Sequence, residues 1–333
     1  MREKRMDNEN ERKTMAIPDT IRAYFIDGLL QTTLALALNL MVLLGNAPHL
    51  RSLPPSSFLI FWLCVSDAGI NTITIYLIAA QVLTNKLGVE VLQCQVLAFF
   101  TTLFALAGLC LCAGLTLFRY LVVVRQWNLS SNFAPVYVIG VFVAATLVVA
   151  LPFTLGSADV TYGISSAYNI CTVLWFDTHT ETKIMVWLYL AVLAIPFNFI
   201  GFAYASIYLE MRKSVREMEG NLSTPETRMA SAKGSTGDSG VGKEHDKMHT
   251  LLYQSIALVA VFIMGWTPNL GKILYEMINN VNASSELEFM TEVFMTLMHI
   301  LNPVVVMIFD VEMRLNVFRA FSFSSVTTLL NKQ

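Results

Sequence analysis

Apolar residues along the chain fall into seven long runs that are separated by polar segments. Each run has about 20 residues or more, and a helix rising about 1.5 Å per residue then crosses the roughly 30 Å hydrocarbon core of a bilayer. The pattern therefore predicts an all-α membrane protein, a bundle of seven transmembrane helices. The predicted spans are Tyr24–Ala47, Ser56–Gln81, Val91–Val124, Ala134–Gly156, Lys183–Met211, His249–Asn279 and Phe289–Asp310.

The polar segments divide the chain into three parts. Residues 1–23 are predicted to form a disordered tail, and residues 24–310 the transmembrane bundle. Within the bundle, a loop at about 212–247 contains a stretch rich in Gly, Ser and Thr, which favours disorder. In residues 311–333, apolar positions at helical spacing over Val311–Phe323 alternate with Arg314 and Arg319. This spacing predicts a short amphipathic helix on the bilayer surface.

Lysine and arginine set the predicted orientation, because cytoplasmic loops carry an excess of both. The segments after the first, third and fifth runs hold Arg51, Arg125 and a cluster that begins at Arg212, whereas the opposite loops hold only Lys86 and Lys183. The basic residues of the N-terminal tail are interleaved with acids, and most lie far from the first span. We therefore expect a multi-pass plasma-membrane protein with an extracellular N-terminus.

Composition agrees with a membrane protein. Hydrophobic residues make up 55% of the chain and charged residues 14%, against about 25% charged in soluble domains. A net charge of −2 makes nucleic acid an unsuitable partner.

Cys94 and Cys171 lie at the edge of a run and in a loop, on the same predicted face. Two cysteines on an extracellular face suggest a disulfide.

Polar residues inside the predicted spans are the candidates for function, because charged groups are costly at that depth. Asp67 is the acid deepest in a span, and Asn46, His299 and Asn302 are its candidate partners in a polar network. The alternative is a packing network that binds nothing.

Landmarks in six of the seven spans together resemble the rhodopsin-like (class A) G-protein-coupled receptors. They are Gly45-Asn46, Leu63 to Asp67, Cys94, Phe118-Arg119-Tyr120, Cys171, Pro196 with Tyr204, Phe262 with Trp266-Thr267-Pro268, and Asn302-Pro303. The resemblance implies that an extracellular ligand shifts the bundle between two conformations and opens a cytoplasmic cleft for a heterotrimeric G protein. It also implies which residues switch: Arg119, Tyr120, Tyr204, Phe262, Trp266, Pro268, Asn302 and Pro303.

The chain departs from the family pattern at several of these places. Phe118 and Met248 replace acids that hold Arg119 in the inactive state, so we expect raised basal signalling. Val306 replaces a tyrosine whose hydroxyl would support the active state. The loss of this hydroxyl is expected to lower basal signalling. The fourth span lacks the usual tryptophan, and Phe142 is expected in its place. Gly108 and Met298 replace small polar residues of the family's sodium site, which leaves sodium at Asp67 as a secondary possibility and no other metal.

The resemblance also places the ligand between the outer halves of the spans. The corresponding residues are Thr101, Thr102, Ala105, Tyr189, Trp266, Asn269, Leu270, Glu292 and Thr296. An acidic rim and Glu292 favour a ligand with a cationic group, such as a peptide. The alternative is that Glu292 pairs with Lys272.

Three other function classes are weaker. A retinal protein needs a lysine in the last span, and Thr296 stands where visual pigments have it, so no cofactor is expected. A membrane metalloenzyme needs several histidines in spans, and only His299 is deep, so no enzymatic activity is expected. A transporter stays an alternative, although the sequence has no internal repeat.

Overall fold

A computed structural model of the chain describes residues 18–85, 89–127, 129–130, 132–165, 170–175, 180–222 and 239–322. Seven of its helices are long and apolar enough to cross a membrane, which confirms the predicted bundle. They are α1 (Asp19–Asn46), α2 (Pro55–Thr84), α3 (Val91–Val123), α4 (Phe133–Thr154), α5 (Thr180–Leu222), α6 (Ser239–Asn279) and α7 (Ser285–Phe309). A short helix, α8 (Val311–Phe321), follows α7.

The helices extend beyond the apolar runs, and this corrects two predicted boundaries. Helix α1 begins at Asp19, directly after Pro18, so the predicted tail 1–23 ends in a helix. Helices α5 and α6 continue to Leu222 and from Ser239, so both ends of the loop predicted as disordered at about 212–247 are helical. These ends are rich in Arg, Lys, Glu and Met, which propagate a helix outside the bilayer. Residues 223–238 lie outside the described part.

A two-stranded hairpin covers one end of the bundle, which we call the hairpin end. Strand β1 (Tyr162–Ile164) pairs with β2 (Cys171–Val173) in antiparallel register. The predicted disulfide between Cys94 and Cys171 is present and buried, and it joins β2 to the start of α3. The hairpin is therefore fixed over the first turns of α3.

A second connection holds the hairpin against α4 and α5. The Tyr162 hydroxyl donates to the Val149 carbonyl at 2.7 Å and lies 2.7 Å from the Tyr189 hydroxyl. Burial, and then the neighbouring Tyr189, raise the pKa of Tyr162. The hydroxyl therefore stays protonated and keeps its role as a donor.

Helix α8 packs against α1 at the opposite end of the bundle, and its N-cap residue Asp310 contacts α2. Asp310 accepts hydrogen bonds from the Met313 backbone N–H at 3.0 Å and from Ser57 Oγ at 2.7 Å. Gly45 allows the close approach of α8, because a Cβ at this position would lie 2.7 Å from Val317 Cα. One face of α8 is exposed and apolar, as expected for a helix on a bilayer surface; its residues are Val311, Leu315, Phe318 and Phe321.

Aromatic packing replaces the tryptophan that α4 lacks. Phe142 of α4 packs edge to face against Trp62 of α2, with ring centroids 5.7 Å apart. The large indole thus comes from α2 and the smaller ring from α4. The Tyr137 hydroxyl also donates to the Cys110 carbonyl at 2.7 Å, which joins α4 to α3.

Candidate functional site

A cavity of about 140 Å³ lies inside the bundle beneath the hairpin. Eight of the nine residues predicted from the sequence line it: Thr101, Thr102, Ala105, Tyr189, Trp266, Asn269, Glu292 and Thr296. Leu270 does not, which corrects that prediction. It follows Asn269 on α6, and one residue turns a helix by about 100°, so its side chain leaves the cavity wall.

The cavity also has walls that the sequence did not predict. Helices α1 and α2 contribute polar side chains, the hairpin contributes Trp175, and α7 contributes apolar ones. Asn71 and Phe289 are among these residues, and Lys272 and Glu288 of the predicted outer rim line the cavity as well. Their signal in the sequence is weak, because none of them belongs to a motif.

Acidic side chains surround one lysine between α6 and α7. Lys272 Nζ lies 2.6 Å from Glu288 Oε1, and each side chain is only 5% exposed. Glu276, one turn after Lys272 on α6, accepts from the Ala283 backbone N–H at 2.9 Å. Glu292 lies one turn beyond Glu288 on α7, and its Oε1 is buried in the cavity wall. Glu288 is thus a direct ion partner of Lys272, and Glu292 also acts on the charge of Lys272, as in the alternative of the sequence analysis.

Aromatic rings form the floor of the cavity. Trp266 is 5% exposed, and its ring lies 6.0 Å from Phe262 and 5.9 Å from Phe197, centroid to centroid. Phe197 follows Pro196 on α5 and was not predicted; its ring lies 5.1 Å from Phe262. Because Pro196 and Pro268 interrupt the hydrogen bonding of α5 and α6, this cluster joins the two helices where each can bend.

Deeper in the bundle, a buried polar network surrounds Asp67. Asn302 Nδ2 donates to Asp67 Oδ2 at 2.9 Å, and His299 Nε2 lies 3.7 Å from Asp67 Oδ1. The residue that connects α1 to this network is Asn39, which donates to the His299 carbonyl at 3.0 Å.

Asn46, which the sequence placed in the Asp67 network, belongs to the contact with α8. Its Nδ2 donates to the Met313 carbonyl at 3.3 Å, and its Oδ1 accepts from Asn316 Nδ2 at 3.0 Å. Asn39 and Asn46 lie two turns apart on one face of α1, so both point into the bundle. They differ in depth, and the helices that meet α1 at each depth decide the partner.

The surroundings of Asp67 offer few ligands for a cation. The described residues contain no group of three or more His, Cys, Asp or Glu side chains that could hold a metal ion. Gly108 and Met298 line a small space beside Asp67 and supply no oxygen from their side chains. Sodium at Asp67 therefore stays a prediction.

At the α8 end, Arg119 is 7% exposed. Its main electrostatic partners are Tyr204 and then Asp310. The neighbouring Phe118 packs against Phe133 of α4, with ring centroids 6.3 Å apart. The ring of Tyr120 lies 6.0 Å from that of Phe202 on α5. The side chain of Met248 lies outside the described part, so its predicted role stays a prediction.

Two comparisons with known proteins identify similarities to this chain. The family model for the seven-transmembrane receptors of the rhodopsin family matches residues 38–305. The crystal structure of squid rhodopsin is similar in fold, with a TM-score of 0.74 and 17% sequence identity, over 95% of this chain and 84% of that chain. No curated protein sequence matches the chain.

Proposed function

We propose, because the chain belongs to the rhodopsin family of seven-transmembrane receptors, that a ligand with a cationic group activates it from the hairpin end. As a G-protein-coupled receptor, it acts through a ligand and a heterotrimeric G protein, and the transporter alternative is not favoured. The family is generally non-enzymatic, and we infer the same for this chain. The observation that supports a cationic ligand is the charge balance around Lys272.

Lys272 is the one Lys or Arg side chain among the described residues that line the cavity, and Glu276, Glu288 and Glu292 surround it. One lysine therefore faces three carboxyl groups, and acidic groups outnumber basic ones at this place. A further cationic group would bring the buried charges closer to balance. At an effective dielectric constant of about 20, two opposite charges 4 Å apart attract by about 4 kcal/mol. An ammonium or guanidinium group in the cavity would therefore be stabilised.

The receptor's two ends are connected through the aromatic floor. A ligand in the cavity contacts Trp266, which packs on Phe262 one turn earlier in α6. We infer that this contact changes the bend of α6 near Pro268 and opens the α8 end, where Arg119 and Tyr204 lie. Binding shifts the equilibrium only as far as the ligand prefers the open form.

The remaining inferences concern the cofactor and the membrane. We propose a diffusible ligand rather than retinal, because α7 contains no lysine and Lys272, in α6, is held in an ion pair. The receptor is a multi-pass membrane protein. We place the hairpin end outside the cell, since the loops at the α8 end carry more Lys and Arg.

Glu292→Gln is expected to weaken binding of phenethylamine, a simple aromatic cation, by about 30-fold or more. Losing one partner of a buried charge pair costs about 2 kcal/mol or more, which corresponds to that factor. Glu286→Gln is the matched control. It removes the same charge, but from an exposed position on α7 that lies outside the cavity. Saturation binding to purified receptor in nanodiscs measures both; equal losses in the two variants would contradict a direct anchor.

Phe118→Asp is expected to lower ligand-free Gα activation by about tenfold. The new carboxylate would hold the buried Arg119 in the inactive form, and about 1.4 kcal/mol is enough for that change while the active fraction is small. Nucleotide exchange on a panel of Gα proteins, at matched surface expression, measures the basal signal.

Phe118→Asn is the control for the charge. It has the size of Asp and removes the same contact with Phe133, but it adds no charge. An equal fall in both variants would assign the effect to packing, and an unchanged signal in Phe118→Asp would refute the electrostatic account.

A further inference from the structure

The buried threonines of the spanning helices differ in how their hydroxyls are satisfied. Four of the five in the described part donate to a backbone carbonyl three or four residues earlier: Thr32, Thr74, Thr116 and Thr291. Thr101 is the fifth; it is 5% exposed, and its Oγ1 has no hydrogen-bond partner among the described residues. Within the same part of the chain, the buried Oγ1 of Thr102 also has none. A buried hydroxyl without a hydrogen-bond partner is destabilising.

A third polar atom without a partner lies on the neighbouring helix. Asn71 of α2 is 1% exposed; its Nδ2 donates to the Asp67 carbonyl at 2.7 Å, and its Oδ1 accepts nothing from the described residues. Asn71, Thr101 and Thr102 all line the cavity beneath the hairpin. The unsatisfied atoms thus converge on one space, on walls that carry no formal charge.

We propose that this wall is a second subsite, which binds a neutral carboxamide of the same ligand. The proposal rests on the function proposed above, since it adds a group to the cation. Asn71 Oδ1 can only accept, so the ligand must supply an N–H or O–H there, whereas the Thr101 hydroxyl can donate to a carbonyl. A carboxamide supplies both. A carboxylate supplies no donor, and it would enter a cavity that already has an excess of acid.

The two subsites together define a ligand class: a primary amine or guanidinium, an apolar part and an amide in one molecule. Trp175, Trp266 and Phe289 line the same cavity and suit an aromatic or aliphatic part. The end of an amidated peptide or an amino-acid amide has this composition. Water entering the cavity would also satisfy the three polar atoms, so the experiment has to separate amide recognition from hydration.

Three probes separate amide recognition from hydration of the cavity. Phenylalaninamide carries the cation, the ring and the carboxamide; phenethylamine lacks the carboxamide; and N-acetylphenylalaninamide lacks the cation. We expect the purified receptor to bind phenylalaninamide about five- to tenfold more tightly than phenethylamine, the gain from one hydrogen bond or more. N-acetylphenylalaninamide is expected to bind more weakly than either.

Thr101→Val is expected to remove most of this preference, because valine has the shape of threonine without the hydroxyl. Asn71→Leu is expected to do the same. Thr116→Val is the control; Thr116 is equally buried on α3, but its hydroxyl is bonded to the Cys112 carbonyl at 2.9 Å. Unchanged melting temperatures ensure that each variant is folded.

The possible results are distinct. Equal affinities for the two amines, or a preference that survives Thr101→Val and Asn71→Leu, would overturn the amide subsite. If Glu292→Gln still weakened the binding of both amines in that case, the cationic anchor would stand without the amide subsite. If neither amine bound at millimolar concentration, both proposals would be refuted.

Discussion

Lys272→Met is expected to destabilise the receptor by about 3–5 kcal/mol, the cost of removing one partner from a buried ion pair. Lys272 and Glu288 are each 5% exposed and lie 2.6 Å apart. Without the lysine, the charges of Glu276, Glu288 and Glu292 would face each other inside the protein. Thermal unfolding followed with a thiol-reactive dye suits this chain, because Cys64, Cys110 and Cys112 are free and at least partly buried.

A double variant separates the ion pair from the helix packing. Lys272→Met with Glu288→Leu removes both charges, and replacing a buried pair by apolar residues is often neutral. We expect it to recover most of the lost stability. Lys213→Met is the surface control; Lys213 and Glu210 are 4.0 Å apart and much more exposed, so the change should stay below about 1 kcal/mol. A double variant as unstable as Lys272→Met would contradict the expected role of charge.

The bundle could be predicted from the sequence because hydrophobicity and length alone decide whether a helix spans a bilayer. The same signal fails where a helix leaves the bilayer. Residues 212–222 are polar and contain no apolar run, yet they continue α5 to Leu222. Outside the membrane, helix propensity decides instead, and the Arg, Lys, Glu and Met residues of this segment favour a helix.

The cavity was predictable to the extent that its residues follow the family's order. Glu292 and Thr101 were found in this way, whereas Asn71 was missed and Glu288 was expected only on the outer rim. Neither has a sequence motif; each matters because of a neighbour on another helix. The contact between Trp62 and Phe142 was not predicted for the same reason, since neither α2 nor α4 has a sequence motif that indicates its partner on the other helix.

The pair Cys94→Ser and Cys171→Ser is expected to destabilise the receptor by about 2–5 kcal/mol. The disulfide closes a loop with a sequence separation of 77, and such a link restricts the unfolded chain more as the loop grows. The effect should also reach the ligand, because Thr172 and Val173 directly follow Cys171 and line the cavity. We expect phenethylamine to bind more weakly once β2 is no longer fixed to α3.

Tyr162→Phe shows how much of this effect belongs to the covalent link. It removes the hydroxyl that joins the hairpin to Val149 and Tyr189 but leaves the disulfide in place. One buried hydrogen bond contributes about 0.5–1.5 kcal/mol, so this variant should lose less stability than the double serine variant. Melting temperatures in nanodiscs and phenethylamine binding measure both effects. If the double serine variant melted like the unmodified receptor, the α4 and α5 contacts alone would hold the hairpin, and Tyr162→Phe would then be the more damaging change.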